Sequence, residues 1–463
     1  MTRHAAVERA QKYFDDGTLF ADVARRVAQP TESQNPDRAA ELRAYLDKEM
    51  RPTLEALGFT CRVLEHPRAK GPFLFAERIE DPALTTVFSY GHGDVVPGME
   101  GRWRDALNPW ELTLKGDRWY GRGVADNKGQ HSINLAALKC VLETRGKLGF
   151  NVKYLIEMGE EMGSPGLFEV CETHRDLLRG DVLIASDGPR LLAERPTLFM
   201  GSRAIINVDL EINAREGGHH SGNWGGLLSN PGIQLANAIA TIVGPTGKIL
   251  VPEWMPAELP DSVRRALADC SLDMADGPAI DPNWGEPGFS AAEKVYGWSS
   301  AEVLSFVCGN PDKPVHAIPP RAWARMQLRY CVGVDPEEVV PALRRHLDRL
   351  GYTMIELSSP RQDIAPATRL DPDHPWVQWA AASISETTGK KPAILPNLGG
   401  TLPNHCFSDA LGMPTLWVPH SYAGCSQHAP NEHLPVAIAR EGMAIMAGLY
   451  WDLGEEKTPP YRA

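Results

Sequence analysis

No run of apolar residues in this chain approaches the roughly 20 that a membrane-spanning helix needs. The N-terminus, Met1-Thr-Arg-His-Ala-Ala-Val-Glu-Arg-Ala10, lacks the apolar stretch of a secretory leader. Disulfide-type cysteine spacing is missing as well. The eight cysteines (Cys61, Cys140, Cys171, Cys270, Cys308, Cys331, Cys406, Cys425) are scattered and form no CxxC pair. That is the usage of reduced, mostly buried thiols, and a cytoplasmic protein is expected. Cys406 and Cys425 fall near segments that carry candidate site residues, but packed thiols are the simpler reading. Positive charge is scarce: 47 Lys and Arg face 59 Asp and Glu, a net charge of −12. A nucleic-acid-binding surface needs the opposite balance. Internal repeats and low-complexity tracts are absent, which excludes solenoids and disordered arrays.

What remains is an ordinary globular composition, 43% hydrophobic and 23% charged, in 463 residues. That length exceeds what one hydrophobic core usually serves, so two domains are expected. Strand-like runs at 60–64, 73–76, 85–90, 152–157 and 182–186 alternate with helical patterns at 36–57 (capped by Asn35 or Asp37) and 128–144. This alternation specifies an α/β domain with a mostly parallel sheet and helices on both faces. After Gly201 the pattern changes. Residues 205–212 alternate apolar and polar, 232–243 reads as a helix, and 244–298 reads as irregular. A strand at 324–330, a helix at 336–350 capped by Asp335 and a strand at 353–357 complete a smaller β-α-β-α-β unit. The tail returns to α/β character with helices at 375–388 and 436–453 and a strand at 413–418. The expected division is 1–201 with 366–463 as one domain, and 202–365 as an inserted α+β unit.

Chemistry gathers where strands end, the place where open α/β sheets bind ligands. His92 and Asp94, in Tyr90-Gly-His-Gly-Asp94, follow the strand at 85–90. Two residues apart in extended chain, they project to one side. They can act as a ligand with an orienting carboxylate, or both as ligands; alone, a chance surface turn is the simpler reading. Glu160 and Glu161, in Met158-Gly-Glu-Glu-Met-Gly163, follow the next strand and cannot point the same way in extended backbone. One can face a metal while the other serves as general base. An exposed acidic turn is the competing reading, and the glycine flanks and the buried strand before it weigh against that. Asp126 lies in the loop Gly121-Arg-Gly-Val-Ala-Asp-Asn-Lys-Gly129, and its two oxygens could bridge cations about 3.5–4 Å apart. The loop matches neither GxGxxG nor GxxxxGK[ST], which disfavours a phosphate cradle. Asp187 ends the strand at 182–186, while His428 and the pair His219-His220 are lone loop histidines, individually weak.

Together, Gly91-His-Gly-Asp94, Gly121–Gly129, Gly159-Glu-Glu-Met-Gly-Ser164, Ala185-Ser-Asp-Gly188 and the late His428 resemble the M20 family of metallopeptidases and amidohydrolases, in order and over nearly the whole chain. The resemblance implies that His92 and Asp187 hold one divalent cation, that Glu161 and His428 hold a second, and that Asp126 bridges them. Asp94 would orient His92, and Glu160 would be the general base that later protonates the leaving nitrogen. The peptide after Asp126 resembles one that is cis in the family. Zn²⁺ is the first expectation for the two ions, with Mn²⁺ or Co²⁺ also suited to such ligands. The inserted unit would be a lid and dimerisation domain. His220-Ser-Gly222 resembles a lid motif whose histidine reaches the partner's active site, which implies a homodimer. The acidic residue of that motif is replaced by Gly218-His219. Arg329 resembles an arginine that binds a substrate carboxylate, and Asn397, Thr401 and Gly424 are the further substrate-pocket positions. Where the dipeptidase branch has Arg-Glu-Gly-Gly-Ser, this chain has Asn397-Leu-Gly-Gly-Thr401. The expected activity is hydrolysis of a C–N bond, amide or peptide, in a small carboxylate-bearing substrate such as an N-acyl amino acid or dipeptide. Alternatives are an aminohydrolase of non-peptide C–N bonds and a non-catalytic metal-binding scaffold; neither nucleic acid nor membrane is an expected partner.

Overall fold

Val182–Ala185 is apolar and buried at every position, as a strand covered by helices on both faces must be. In the computed structural model, which describes residues 1–272, 277–359, 365–455 and 459, it lies inside an eight-stranded sheet. The principal strands, in chain order, are β1 (Thr60–Leu64), β2 (Phe73–Arg78), β3 (Thr86–His92), β4 (Asn151–Glu157), β5 (Val182–Ala185), β6 (Thr197–Phe199), β7 (Ala204–Asn213), β8 (Ser300–Val307), β9 (Arg321–Tyr330), β10 (Glu356–Ser358), β11 (Ala393–Leu395) and β12 (Thr415–Trp417). The long helices are α1 (Arg3–Asp15), α2 (Lys128–Arg145), α3 (Pro231–Ile242), α4 (Val339–Arg349), α5 (Pro375–Thr388) and α6 (Val436–Leu453).

The large sheet has the order β1-β2-β4-β3-β5-β12-β6-β11. Its centre, β4-β3-β5-β12, is parallel, so the carboxyl ends of these strands share one edge. Alternate residues supply two cores. Val152, Ile156, Val182 and Ile184 pack with α1, α2, α5 and α6 through Phe14, Ile133, Trp376 and Met443. Phe88, Tyr90, Leu155 and Leu183 pack on the other face with Val170, Phe407, Val263, Leu267 and Ala292. Val263, Leu267 and Ala292 correct the expectation that 244–298 is irregular. Short helices Asp261–Leu267 and Ala291–Tyr296 lie there, with too few turns to display a 3.6-residue period.

The smaller sheet is antiparallel, in the order β8-β9-β7-β10. Strict alternation of buried and open positions in β7 and β9 turns one face onto α3 and α4. Its edge strand β8 was not expected, and the strand expected at 353–357 is β10, shifted to Glu356–Ser358. The pairing Gly201↔Arg369 fastens the chain where it leaves the large sheet to where it returns. The helical pattern at 36–57 is helical throughout, with a π turn at Leu46–Met50, and Asn35 caps its start by accepting from the Asp37 N–H at 3.1 Å.

Candidate metal centre

The site forms at the carboxyl edge of β3, β4 and β5. Register His92↔Glu157 and the bond from the Gly93 N–H to the Glu157 carbonyl (2.9 Å) lock the ends of β3 and β4 together. The glycines around His92 answer close packing rather than a surface turn. A Cβ on Gly91 would lie 2.7 Å from the His131 Cβ, and one on Gly93 would lie 2.3 Å from the Tyr45 ring. His92 is fully buried, with Nδ1 3.1 Å from the Asp94 carbonyl and 3.4 Å from its carboxylate. Nε2 is thereby aimed at Asp126 Oδ1 (3.0 Å), Asp187 Oδ2 (3.5 Å) and Glu160 Oε2 (3.9 Å).

Asp94 has a second task. Its two carboxylate oxygens accept the N–H groups of Glu160 and Glu161, each at 3.2 Å, which fixes the turn after β4. That turn, Glu160–Met162, is a single 3₁₀ turn, not the extended backbone expected, yet the two glutamates diverge as anticipated. Glu160 faces His92, while Glu161 Oε2 lies 3.0 Å from His428 Nε2. His428 also lies 3.1 Å from Asp126 Oδ2. One oxygen of Asp126 therefore faces His92 and the other His428. The Asp126–Asn127 peptide is cis. Asn127 is held by the Ser186 carbonyl (2.8 Å) and by His131 Nδ1 (3.2 Å), and His131 is held in turn by the Tyr45 hydroxyl (2.8 Å).

Two groups result, His92–Asp126–Asp187 and Asp126–Glu161–His428, each with its ligand atoms within 4.8 Å of one another. The donor set fits divalent cations. Glu161 Oε1 and Asp187 Oδ2 are buried with no hydrogen-bond partner among the described residues, an expensive state unless another electrophile meets them. Burial and the neighbouring Asp126 push both Glu161 and Asp187 up to about 7. Burial also drives Glu160 well above its ordinary range, although His92 opposes it. Hydrogen bonds to Asp126 and Glu161 raise His428 to about 11. So many carboxylates in one crevice cannot all ionise beside two imidazoles, and cations of higher charge reverse that logic.

The loop that holds Asp126 is no phosphate cradle: the Gly123, Ala125 and Asp126 N–H groups are occupied by the Glu432 carboxylate. Glu432, Asn127, His131 and Tyr45 were not legible as site residues. Their contributions run through backbone amides and buried contacts that leave no spacing signal.

The remaining sequence candidates are dispersed. Arg329 is half-buried on the open face of β9, its guanidinium drawn down by burial. Along that face Arg321 pairs with Glu211 (2.8 Å) and Arg325 with Asp209 (2.7 Å), but Arg329 stands opposite Ile205 and Ser300. Asn397 is buried and donates to the Thr368 carbonyl at 2.6 Å. Thr401 donates to the Arg203 carbonyl at 3.0 Å, and Gly424 lies under the Tyr422 ring. His220 is exposed on a two-residue strand, His219–His220, that pairs antiparallel with Ala317–Ile318; its Nδ1 accepts from its own turn at Gly222 (3.1 Å). Among the described residues, no hydrogen bond or ion pair joins it to the five grouped side chains. Cys406 and Cys425 are buried, their thiols pushed up by burial, as packed thiols should be.

The profile of Peptidase family M20/M25/M40 matches residues 88–452. Beta-Ala-His dipeptidase of Homo sapiens is 25% identical over 411 residues, covering 83% of this chain and 78% of the relative. Cys-Gly metallodipeptidase DUG1 of Candida albicans is 31% identical, covering 81% and 80%. Among solved structures, an M20 family metallo-carboxypeptidase from Sulfolobus solfataricus superposes with a TM-score of 0.76 at 25% identity, covering 94% of this chain and 99% of that one. Human carnosine dipeptidase 1 shares the fold with a TM-score of 0.76 at 22% identity, covering 97% and 99%.

Proposed function

Because the chain belongs to the M20/M25/M40 peptidase family, and so is a metal-dependent hydrolase of peptide or amide C–N bonds, we propose that it works with two divalent cations bound side by side. The observation that supports this most is the pair of three-residue groups sharing Asp126. In this reading His92 and Asp187 would hold one ion and Glu161 and His428 the other, with Asp126 shared between the two groups. Zn²⁺ is the first candidate, ahead of Mn²⁺ and Co²⁺. Bound cations supply Lewis acidity toward the amide oxygen and acidify water toward neutrality.

The chain's own residues do the rest. Asp94 keeps His92 in the tautomer that presents Nε2. Glu160 makes no hydrogen bond through its carboxylate among the described residues and faces the crevice, so it is free to take the proton of the attacking water. The same carboxyl then hands that proton to the leaving nitrogen. In this reading Arg329 meets a substrate carboxylate, and Asn397, Thr401 and Gly424 are the further substrate-pocket positions. By the same reading, residues 1–201 and 366–463 form the catalytic domain and 202–365 the lid; 273–276, 360–364, 456–458 and 460–463 lie outside the described residues.

A homodimer with His220 donated across the interface is part of the same reading. The smaller sheet supports it: edge strand β8 exposes Val303, Leu304, Phe306 and Val307, and in the same unit Leu227 and Ile233 are 76% and 62% exposed. Such an apolar, unpaired edge invites a second copy. Among the described residues no helix is long and apolar enough to cross a membrane. The scattered free cysteines support a cytoplasmic location.

The names of relatives point to dipeptides, while Asn397-Leu-Gly-Gly-Thr401 points away from an ordinary dipeptidase pocket and toward an N-acyl amino acid. A panel of dipeptides, N-acyl amino acids and non-peptide C–N substrates, assayed with wild type and Glu160→Gln, tests the proposal. Amine release by wild type that falls by about 10²–10⁴-fold in the variant is expected. A variant that keeps substantial turnover removes Glu160 from the role, and turnover only of non-peptide C–N substrates favours the aminohydrolase alternative.

A further inference from the structure

The two cation groups are built differently. His92 and Asp187 stand at the ends of adjacent strands and are buried. His428 is 58% exposed on a loop where Ser426, His428 and Asn431 all adopt positive φ (57°, 59° and 68°). Nothing in a strand register fixes where this imidazole sits relative to Asp126.

Four residues further on, Glu432 is 1% exposed and makes an unusual set of bonds. One carboxylate oxygen accepts from Arg122 Nη1 (2.8 Å) and the Gly123 N–H (2.9 Å). The other accepts from the N–H groups of Ala125 (2.9 Å) and Asp126 (3.0 Å). Its main-chain carbonyl accepts the Gly121 N–H at 3.2 Å, and the next residues, His433–Pro435, pair with Arg118–Tyr120. The loops bearing Asp126 and His428 are therefore one clasp with Glu432 as its pin. Only an acceptor-only group suits it: four donors converge on two oxygens, and a glutamine would turn an NH₂ against two of them.

We infer that Glu432 is a positioning residue that sets the distance between Asp126 and His428 and so fixes the second cation group, Asp126–Glu161–His428, without touching substrate or ion. The inference rests on the two-cation reading proposed above. It makes the two ions unequal in their dependence on this clasp. Loss of the Glu432 charge loosens the second group, while His92 and Asp187 stay in place on their strands.

The test is titration of metal-stripped protein with Zn²⁺ against a competing chelator, for wild type, Glu432→Gln and Glu432→Asp. The aspartate variant keeps a negative charge against buried Arg122 but falls short of the backbone amides, so it serves even where the glutamine variant does not fold. The expected result is a first affinity close to wild type and a second affinity weaker by about 10–100-fold, the usual cost of losing an outer-shell support. Excess Zn²⁺ should then restore much of kcat with KM little changed. Two wild-type affinities in a folded variant overturn the inference alone, as does an equal loss at both sites, which would mean that Glu432 acts through Asp126, shared by both groups, and not on the second group in particular. Wild type that binds no second ion overturns the two-cation reading and this inference with it.

Discussion

His220 and His428 show how much a single side chain depends on what surrounds it. His428 looked incidental as a lone loop histidine, yet it lies 3.0 and 3.1 Å from two carboxylates. Among the described residues His220 has no such company, and its proposed role requires a partner subunit. That requirement can be checked by complementation. Glu160→Gln and His220→Ala are each expected to be nearly inactive, the latter by about 10²–10³-fold if its imidazole stabilises the oxyanion. Subunit exchange between them regenerates one intact site per mixed dimer. With half the dimers mixed and one of two sites restored, about a quarter of wild-type activity should return. No recovery on mixing means that His220 acts within its own chain or not at all. Among individual residues, His92, Asp126, Glu161 and Asp187, which the fold gathers into two groups, were legible from type and position. Glu432 and Asn127 were not, because what they do is accept or donate to backbone groups brought near only by folding.

Between elements, one buried contact supports a stability prediction. Arg190, just beyond β5, is fully buried and bonds Glu441 of α6, which also meets Lys390 at 2.7 Å. Burial pushes the Glu441 carboxyl up, but the Arg190 guanidinium and Lys390 outweigh it and leave it below its ordinary value near 4.5. A carboxyl depressed in the folded state contributes stability that is present above its unfolded value and lost as pH falls through its folded one. Glu441→Gln should therefore destabilise the protein by about 1–3 kcal/mol at neutral pH, with the deficit against wild type shrinking as pH drops below about 4.5. Equal denaturation midpoints at neutral pH, or a deficit that grows on acidification, would show that this contact does not link the sheet to α6. The helices at 375–388 and 436–453 were readable because each is long enough to show its period. Strand β8 was not: its burial runs intermediate, buried, then mostly exposed, so the alternation that betrays a half-buried strand never develops. Nor were the two short helices within 244–298, whose packing on the large sheet is a tertiary fact.

Over the whole molecule, parallel strands bring His92, the Glu160–Glu161 turn and Asp187 to one edge, and a distant loop adds His428. That convergence was foreseeable from strand order alone, since residues following parallel strands must meet on one side of the sheet. The exposed apolar edge of the smaller sheet was not foreseeable, because it belongs to the strand the sequence concealed. The measurement that bears most directly on the whole is bound metal per chain, determined by elemental analysis after reconstitution with Zn²⁺ and removal of excess. A two-cation hydrolase must retain about two ions per chain and lose its amine-releasing activity when a chelator withdraws them. Protein that retains none, while still folded, would contradict it.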